Sequence, residues 1–173
     1  MSSATISLLK GGHFDFLEPE KSVFTIEDVA RGLSNISRFS GHVDRPYTVS
    51  QHSVLVSKAV PPEHALAGLL HDAVESFLGD VAKPLKNLLP DYMALEEKCE
   101  RVILKRFGVK FPLHPCVKEA DNKLFVTERR DLQPGVAIDP KFAGIVPLDN
   151  KIIAWDSHMS YIYFLRRFKE LTK

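Results

Sequence analysis

Little in this chain points to secretion, membranes or nucleic acid. Only two of its 173 residues are cysteine. Cys99 and Cys116 have no metal-like spacing, and both read as reduced thiols. No apolar stretch approaches ~18 residues, so no membrane span is expected. No basic segment followed by an apolar run opens the chain, so no signal peptide is expected and the protein reads as cytoplasmic. A charge excess of one sign is also missing. Formal net charge is +1, whereas a dedicated nucleic-acid binder usually carries a strong basic excess. Internal repeats and low-complexity tracts are absent. What is present is ordinary for a globular protein, 45% hydrophobic and 26% charged residues. The length suits a single domain, 1–173, with one sizeable core.

Hydrophobic periodicity predicts mostly helix. Gly11-Gly12 between two short β-prone runs signals a hairpin. Thr25 followed by Asp28 resembles a capping arrangement, after which Ile26, Val29, Ala30, Leu33 and Ile36 recur at helical spacing. Arg38 to Tyr47 breaks the pattern and reads as a loop. A second helix is expected from Thr48 to about Val60, with Gln51 completing a capping box. Pro61-Pro62 stop it and open a third, about 62 to 78, ended by Gly79-Asp80. A long amphipathic helix opens at Pro90-Asp91, with Tyr92, Leu95, Cys99, Val102, Ile103 and Phe107 on its apolar side and Gly108 as its stop. Another runs from Cys116 to about Leu132. A last one covers Ser157 to Leu171, apolar through Met159, Ile162, Tyr163, Leu165 and Phe168. Residues 133–150 look irregular. The expected fold class is all-α, a helical bundle with a small N-terminal β-hairpin.

The chemistry concentrates in Ala67-Gly-Leu-Leu-His-Asp-Ala-Val-Glu75. His71 and Asp72 are adjacent, and on a helix Glu75 falls on the face of both. Such a doublet in an apolar helix is costly to bury without a partner, and a metal ion would supply one. His52 and Asp121 sit among apolar neighbours on two other predicted helices. Helix bundles commonly build metal sites from inward side chains of facing helices. Two imidazoles and two carboxylates suit Zn, Mn, Fe, Co or Ni without choosing among them. His13, His64, His114 and His158 have no partner pattern and read as incidental. Arg129-Arg130-Asp131 reads as a structural ion-pair cluster or a subunit contact.

The ordered set His52, His71-Asp72, Asp121 resembles the H…HD…D pattern of the HD-domain metal-dependent phosphohydrolases. Leu70-His71-Asp72-Ala73-Val74-Glu75, Gly79-Asp80-Val81 and Pro84-Leu85-Lys86 look like the bacterial 5′-deoxynucleotidases of that superfamily. Arg38-Phe39-Ser40-Gly41-His42, Tyr47-Thr48-Val49-Ser50-Gln51-His52-Ser53 and Thr127-Glu128-Arg129-Arg130-Asp131-Leu132 resemble small phage and prophage nucleotidases, among them phage dATP hydrolases. The similarity covers roughly residues 25 to 135. One departure is Phe39, where the bacterial 5′-deoxynucleotidases carry Trp.

The resemblance implies an HD-domain helical bundle, a homo-oligomer and a small-molecule nucleotide substrate. His52, His71, Asp72 and Asp121 would hold a divalent transition metal, which lowers the pKa of its water and polarises a phosphoryl oxygen. Glu75 would orient or deprotonate the attacking water. Asp80 would assist the leaving group or bind the sugar 3′-hydroxyl. Arg38, whose fork matches two oxygens, would neutralise phosphate. Lys83, Lys86 and Arg45 are further phosphate candidates, His42 and Gln51 would line the pocket, and Phe39 would pack on base or sugar. The rival reading is a non-catalytic HD sensor that binds nucleotide without cleaving it. A missing ligand or a missing Glu75 would favour that, and none is missing.

Overall fold

The computed structural model describes residues 4–173. It is mostly helical, with one two-stranded antiparallel sheet. The strands β1 (Thr5–Ser7) and β2 (His13–Asp15) pair with Ile6 opposite Phe14. Gly11, at φ +86°, turns the chain between them in the left-handed region that glycine tolerates. Phe14 is fully buried and stacks on Phe77 with centroids 4.1 Å apart, which fastens the hairpin to the helices.

Helix α1 (Ile26–Asn35) starts where expected. The Asp28 carboxylate accepts from the Thr25 backbone N–H at 2.9 Å, so Asp serves where Glu is usual. Its apolar stripe Val29, Ala30 and Leu33 is buried. Helix α2 (Val49–Ala59) is buried along most of its length and packs on α1, on α3 (Ala65–Leu70), on α7 (Pro115–Leu132) and on α8 (Ser157–Leu171). Gly68 permits the close approach of α3, because a Cβ there would lie 3.1 Å from the Ser57 Cα. Only half of the expected capping box forms. The Thr48 hydroxyl accepts from the Gln51 N–H, but the Gln51 side chain turns away to the segment before α8.

The third predicted helix is not one helix. A 3-10 turn (Pro62–His64) leads into α3, residues 71–74 form a turn, and α4 (Glu75–Leu78) follows. The backbone stays right-handed at His71 and Val74, but the hydrogen bonds shorten by one residue. Ala73 N–H donates to Leu70 O, Glu75 N–H to Asp72 O and Ser76 N–H to Ala73 O. The helix is thus overwound through the His-Asp doublet, a device frequent at functional positions. Gly32 of α1 fixes the other side of α4, since a Cβ there would meet the Ser76 carbonyl oxygen at 2.5 Å.

Helix α5 (Lys83–Lys86) and the long α6 (Pro90–Arg106) follow, and α6 buries Cys99, Ile103 and Leu104. Tyr92 at its start is only half-buried. Helix α7 carries Arg130 and Asp131, which anchor the irregular segment ahead of α8. Arg130 pairs with Asp131 at 2.7 Å and donates to Leu148 O, while Asp131 accepts from Ile152 N–H. Arg130 and Asp131 thus form the structural ion pair of that cluster, while Arg129 donates instead to Gln133 and lies over Phe125. Helix α8 is capped by Asp156 and buries Ser160 and Phe164, with Ile162 turned outward. The buried stripe is rotated from the predicted one, because α8 packs on α1, α2 and α3 together. Both cysteines are unpaired. No helix among the described residues is long and apolar enough to cross a membrane.

Candidate metal centre

His52 lies in the middle of α2 and is fully buried. Its Nδ1 is 2.6 Å from Glu128 Oε1. His71, just past the end of α3, places Nδ1 2.8 Å from the Gly68 carbonyl oxygen. Both Nδ1 atoms face acceptors only, so each must carry the ring proton. Each Nε2 is then a bare lone pair. The two Nε2 atoms face each other at 3.3 Å. Asp72 Oδ2 lies 3.1 Å from His71 Nε2 and 3.6 Å from His52 Nε2. Asp121 Oδ1 is 3.3 Å from His52 Nε2.

Two imidazole nitrogens and two carboxylates thus converge with no donor between them. Such a cluster needs a cation or an extra proton. The residues fit a divalent metal, since neutral imidazole and carboxylate are its usual nitrogen and oxygen ligands. The ligand atoms of His52, His71 and Asp72 all lie within 4.8 Å of one another. Asp121 joins through one oxygen and gives the other to Lys118 Nζ at 2.6 Å.

The electrostatics record the same deficit. Burial alone would depress the His52 imidazole, and Arg38 acts in the same direction, yet Glu128 and Asp121 raise it to about 9. Burial opposes ionisation of Asp72 and Asp121, but His71 and His52 hold Asp72 well below the usual carboxylate range, and His52 above all does so for Asp121. In the absence of metal, a proton at His52 is the positive charge this cluster recruits.

Glu128 was missed as a site residue by sequence reasoning. It is fully buried, with Oε1 on His52 and Oε2 3.1 Å from Arg38 Nη2. Its carboxylate fixes the tautomer and orientation of the His52 imidazole, as carboxylate partners do for histidines in metal sites. Its signal was available: Glu128 is seven residues after Asp121, two turns along the same face of α7. Glu100 of α6 was missed as well. It lines, with His71, Asp72, Lys118 and Asp121, a cavity of about 280 Å³. Burial, with Asp72 and Glu96 nearby, pushes its carboxyl up to about 7.

The remaining expected residues divide. Arg38 reaches the centre, with Nη1 3.7 Å from Asp72 Oδ2, but Glu128 already holds one arm. Its Nε is buried without a hydrogen-bond partner. Phe39 follows at φ +57°, a strained conformation for an aromatic residue, beside Phe125, with the Arg38 and Arg129 guanidiniums each 5.5 Å from its ring centroid. Glu75 is buried and its Oε2 has no hydrogen-bond partner. Burial first, then Asp72 and Asp80, raise its carboxyl well above the usual range, and Asp80 is raised mainly by burial. Lys86 lies close enough to act on Glu75 but pairs with Glu96 at 2.7 Å.

Four expected binding residues are not brought to the centre. The Gln51 side chain donates to Ile153 O and accepts from Trp155 N–H, both at 2.8 Å, and so is a buried clasp rather than a pocket wall. His42 is exposed, and what it contributes is its carbonyl oxygen, which accepts from Gln133 Nε2 at 2.6 Å. Lys83 is exposed at the start of α5, and Arg45 is exposed in its loop.

No family model matches the chain. It is 40% identical over 171 residues to the uncharacterized protein YfdR of Escherichia coli K12, an alignment spanning 97% of this chain and 96% of that protein. It is 33% identical over 130 residues to an uncharacterized protein of Rhodobacter capsulatus, covering 69% of this chain and 66% of the other.

Proposed function

We propose that this chain, which belongs to the same family as Escherichia coli YfdR, is a metal-dependent phosphohydrolase that removes 5′-phosphates from deoxynucleotides. The observation that carries this reading is the convergence of four acceptors, His52 Nε2, His71 Nε2, Asp72 Oδ2 and Asp121 Oδ1, with both imidazole Nδ1 protons already committed elsewhere. The ordered resemblance to HD-domain phosphohydrolases supports the substrate class.

His52, His71, Asp72 and Asp121 would hold Zn, Mn, Co or Fe. When bound, the metal supplies an acidified water and an electrophile for a phosphoryl oxygen. The chain's own groups do the rest. Glu128 keeps the proton of His52 on Nδ1 and so keeps Nε2 available. Arg38, held by Glu128, sets a fixed positive charge beside Asp72, where the phosphoryl group would carry negative charge. Glu75 presents a buried, unpartnered oxygen one turn beyond the ligands and exchanges the proton of the attacking water. Asp80 hydrogen-bonds the sugar or its leaving oxygen. The cavity of about 280 Å³ over His71, Asp72 and Asp121 is near the small end of ligand sites.

The test separates binding from turnover. Glu75→Ala is expected to keep the metal and lose phosphate release from deoxynucleotides by about 100-fold or more. Near-wild-type turnover in that variant would remove Glu75 from the reaction. Metal and nucleotide bound by the wild type, with no turnover, would replace the enzyme with a sensor.

A further inference from the structure

A second cluster of metal-ligating side chains lies outside the centre. His64 ends the 3-10 turn before α3, while His114 and Cys116 stand at the start of α7. Fifty residues separate His64 from His114, and sequence alone gives neither a partner. In the fold their imidazoles stack, with centroids 4.3 Å apart and planes inclined by 13°. One ligand atom from each of His64, His114 and Cys116 lies within 4.8 Å of the others. Two imidazoles and a thiol are a borderline-soft set that favours zinc-type ions over magnesium or calcium.

We propose that His64, His114 and Cys116 form a second transition-metal site, of zinc type, which clamps the start of α3 to the start of α7. Those two elements deliver ligands to the first centre: His71 lies seven residues after His64, and Asp121 five after Cys116. His114 also lines the cavity over that centre, so the clamp borders its mouth.

Proton accounting is simple. Binding releases the Cys116 thiol proton to solvent, since the thiolate is the ligand. Burial and the nearby Glu119 and Glu63 hold that thiol protonated in the free protein. The same two carboxylates attract a cation. His114 Nδ1 accepts from Cys116 N–H at a long 3.3 Å. Ligation through Nε2 moves the ring proton to Nδ1 and forfeits that weak bond.

Cobalt(II) distinguishes the two centres, because only this one contains sulfur. The full chain, free of metal, is titrated with Co²⁺, and the thiolate-to-cobalt charge-transfer band in the near ultraviolet is recorded. The wild type is expected to develop the band with one equivalent bound at this site. His71→Ala, which damages only the first centre, keeps it. Cys116→Ser abolishes it, and His64→Ala weakens cobalt binding there about tenfold or more, with circular dichroism confirming that each variant folds. No band in the wild type at saturating Co²⁺ overturns the proposal, as does a band that survives in folded Cys116→Ser. Neither outcome bears on hydrolysis at the first centre.

Discussion

Glu128→Gln is the substitution that reaches furthest into this account. The site offers Glu128 two donors, the His52 Nδ1–H at 2.6 Å and Arg38 Nη2 at 3.1 Å. A carboxylate accepts from both. An amide has one acceptor and one donor, so either orientation sets a donor against a donor. The negative charge that offsets Arg38 is lost as well. His52 is raised from 6.5 to about 9 in the folded chain. A group raised in this way stabilises the fold fully below its unfolded pKa and loses that contribution as pH rises through its folded pKa. The contribution is roughly 3 kcal/mol below pH 6.5 in the metal-free protein. Leaving Arg38 buried without its partner costs an overlapping amount, and the total expected is about 3–5 kcal/mol. Urea unfolding of the metal-free proteins at pH 6 should show that loss. The gap should narrow above pH 9, where the wild type gives up its own His52 proton. Metal affinity, extrapolated to the deprotonated ring so that proton competition does not mask the effect, should fall about 10–100-fold. Equal stability at pH 6, or unchanged affinity for the deprotonated form, would refute the reasoning.

Other expectations follow from single contacts. Metal must displace the His52 proton, so apparent affinity should climb about tenfold per pH unit below pH 9, with proton release measurable by calorimetry in two buffers. A flat profile between pH 6 and 8 would contradict the extra proton on His52 in the metal-free protein. Gln51→Ala strands the Ile153 carbonyl and the Trp155 N–H, and should lower stability by about 2–4 kcal/mol while leaving metal affinity intact. A loss of metal affinity at full stability would return Gln51 to the site. Gly32→Ala forces a Cβ against the Ser76 carbonyl at 2.5 Å, a backbone atom that cannot yield cheaply. Its expected cost is about 1–3 kcal/mol, and an unchanged melting temperature would show that α1 and α4 separate freely.

The helices with strong periodicity and clear stops were legible from residue pattern. Pro90 and the region before Gly108 bracket α6, and Ser157–Leu171 appears as read. The four converging side chains could be named because each interrupts an apolar stripe and because together they follow the ordered H…HD…D pattern. The overwinding at His71–Val74 was not legible, because an i−3 hydrogen-bond pattern leaves no mark on the apolar spacing of so short a stretch. Gln51 misled for a similar reason: its partners lie about a hundred residues on, in a segment with no pattern of its own. Glu128 shares the α7 face of Asp121, but its role shows only once Arg38 and His52 are brought to it from other elements. His64 and His114 illustrate the same limit, since only the packing of α3 on α7 makes them neighbours.

The central claim meets its most direct test in turnover by the metal-reconstituted protein. The chain is stripped, reloaded with Zn, Mn, Co or Fe, and offered each dNMP and dNTP, with products separated by chromatography and phosphate detected. The account predicts release of 5′-phosphate from at least one deoxynucleotide with at least one metal, lost on chelation and restored on reloading. Absence of turnover with every metal, in protein that binds metal at His52 and His71, would contradict it.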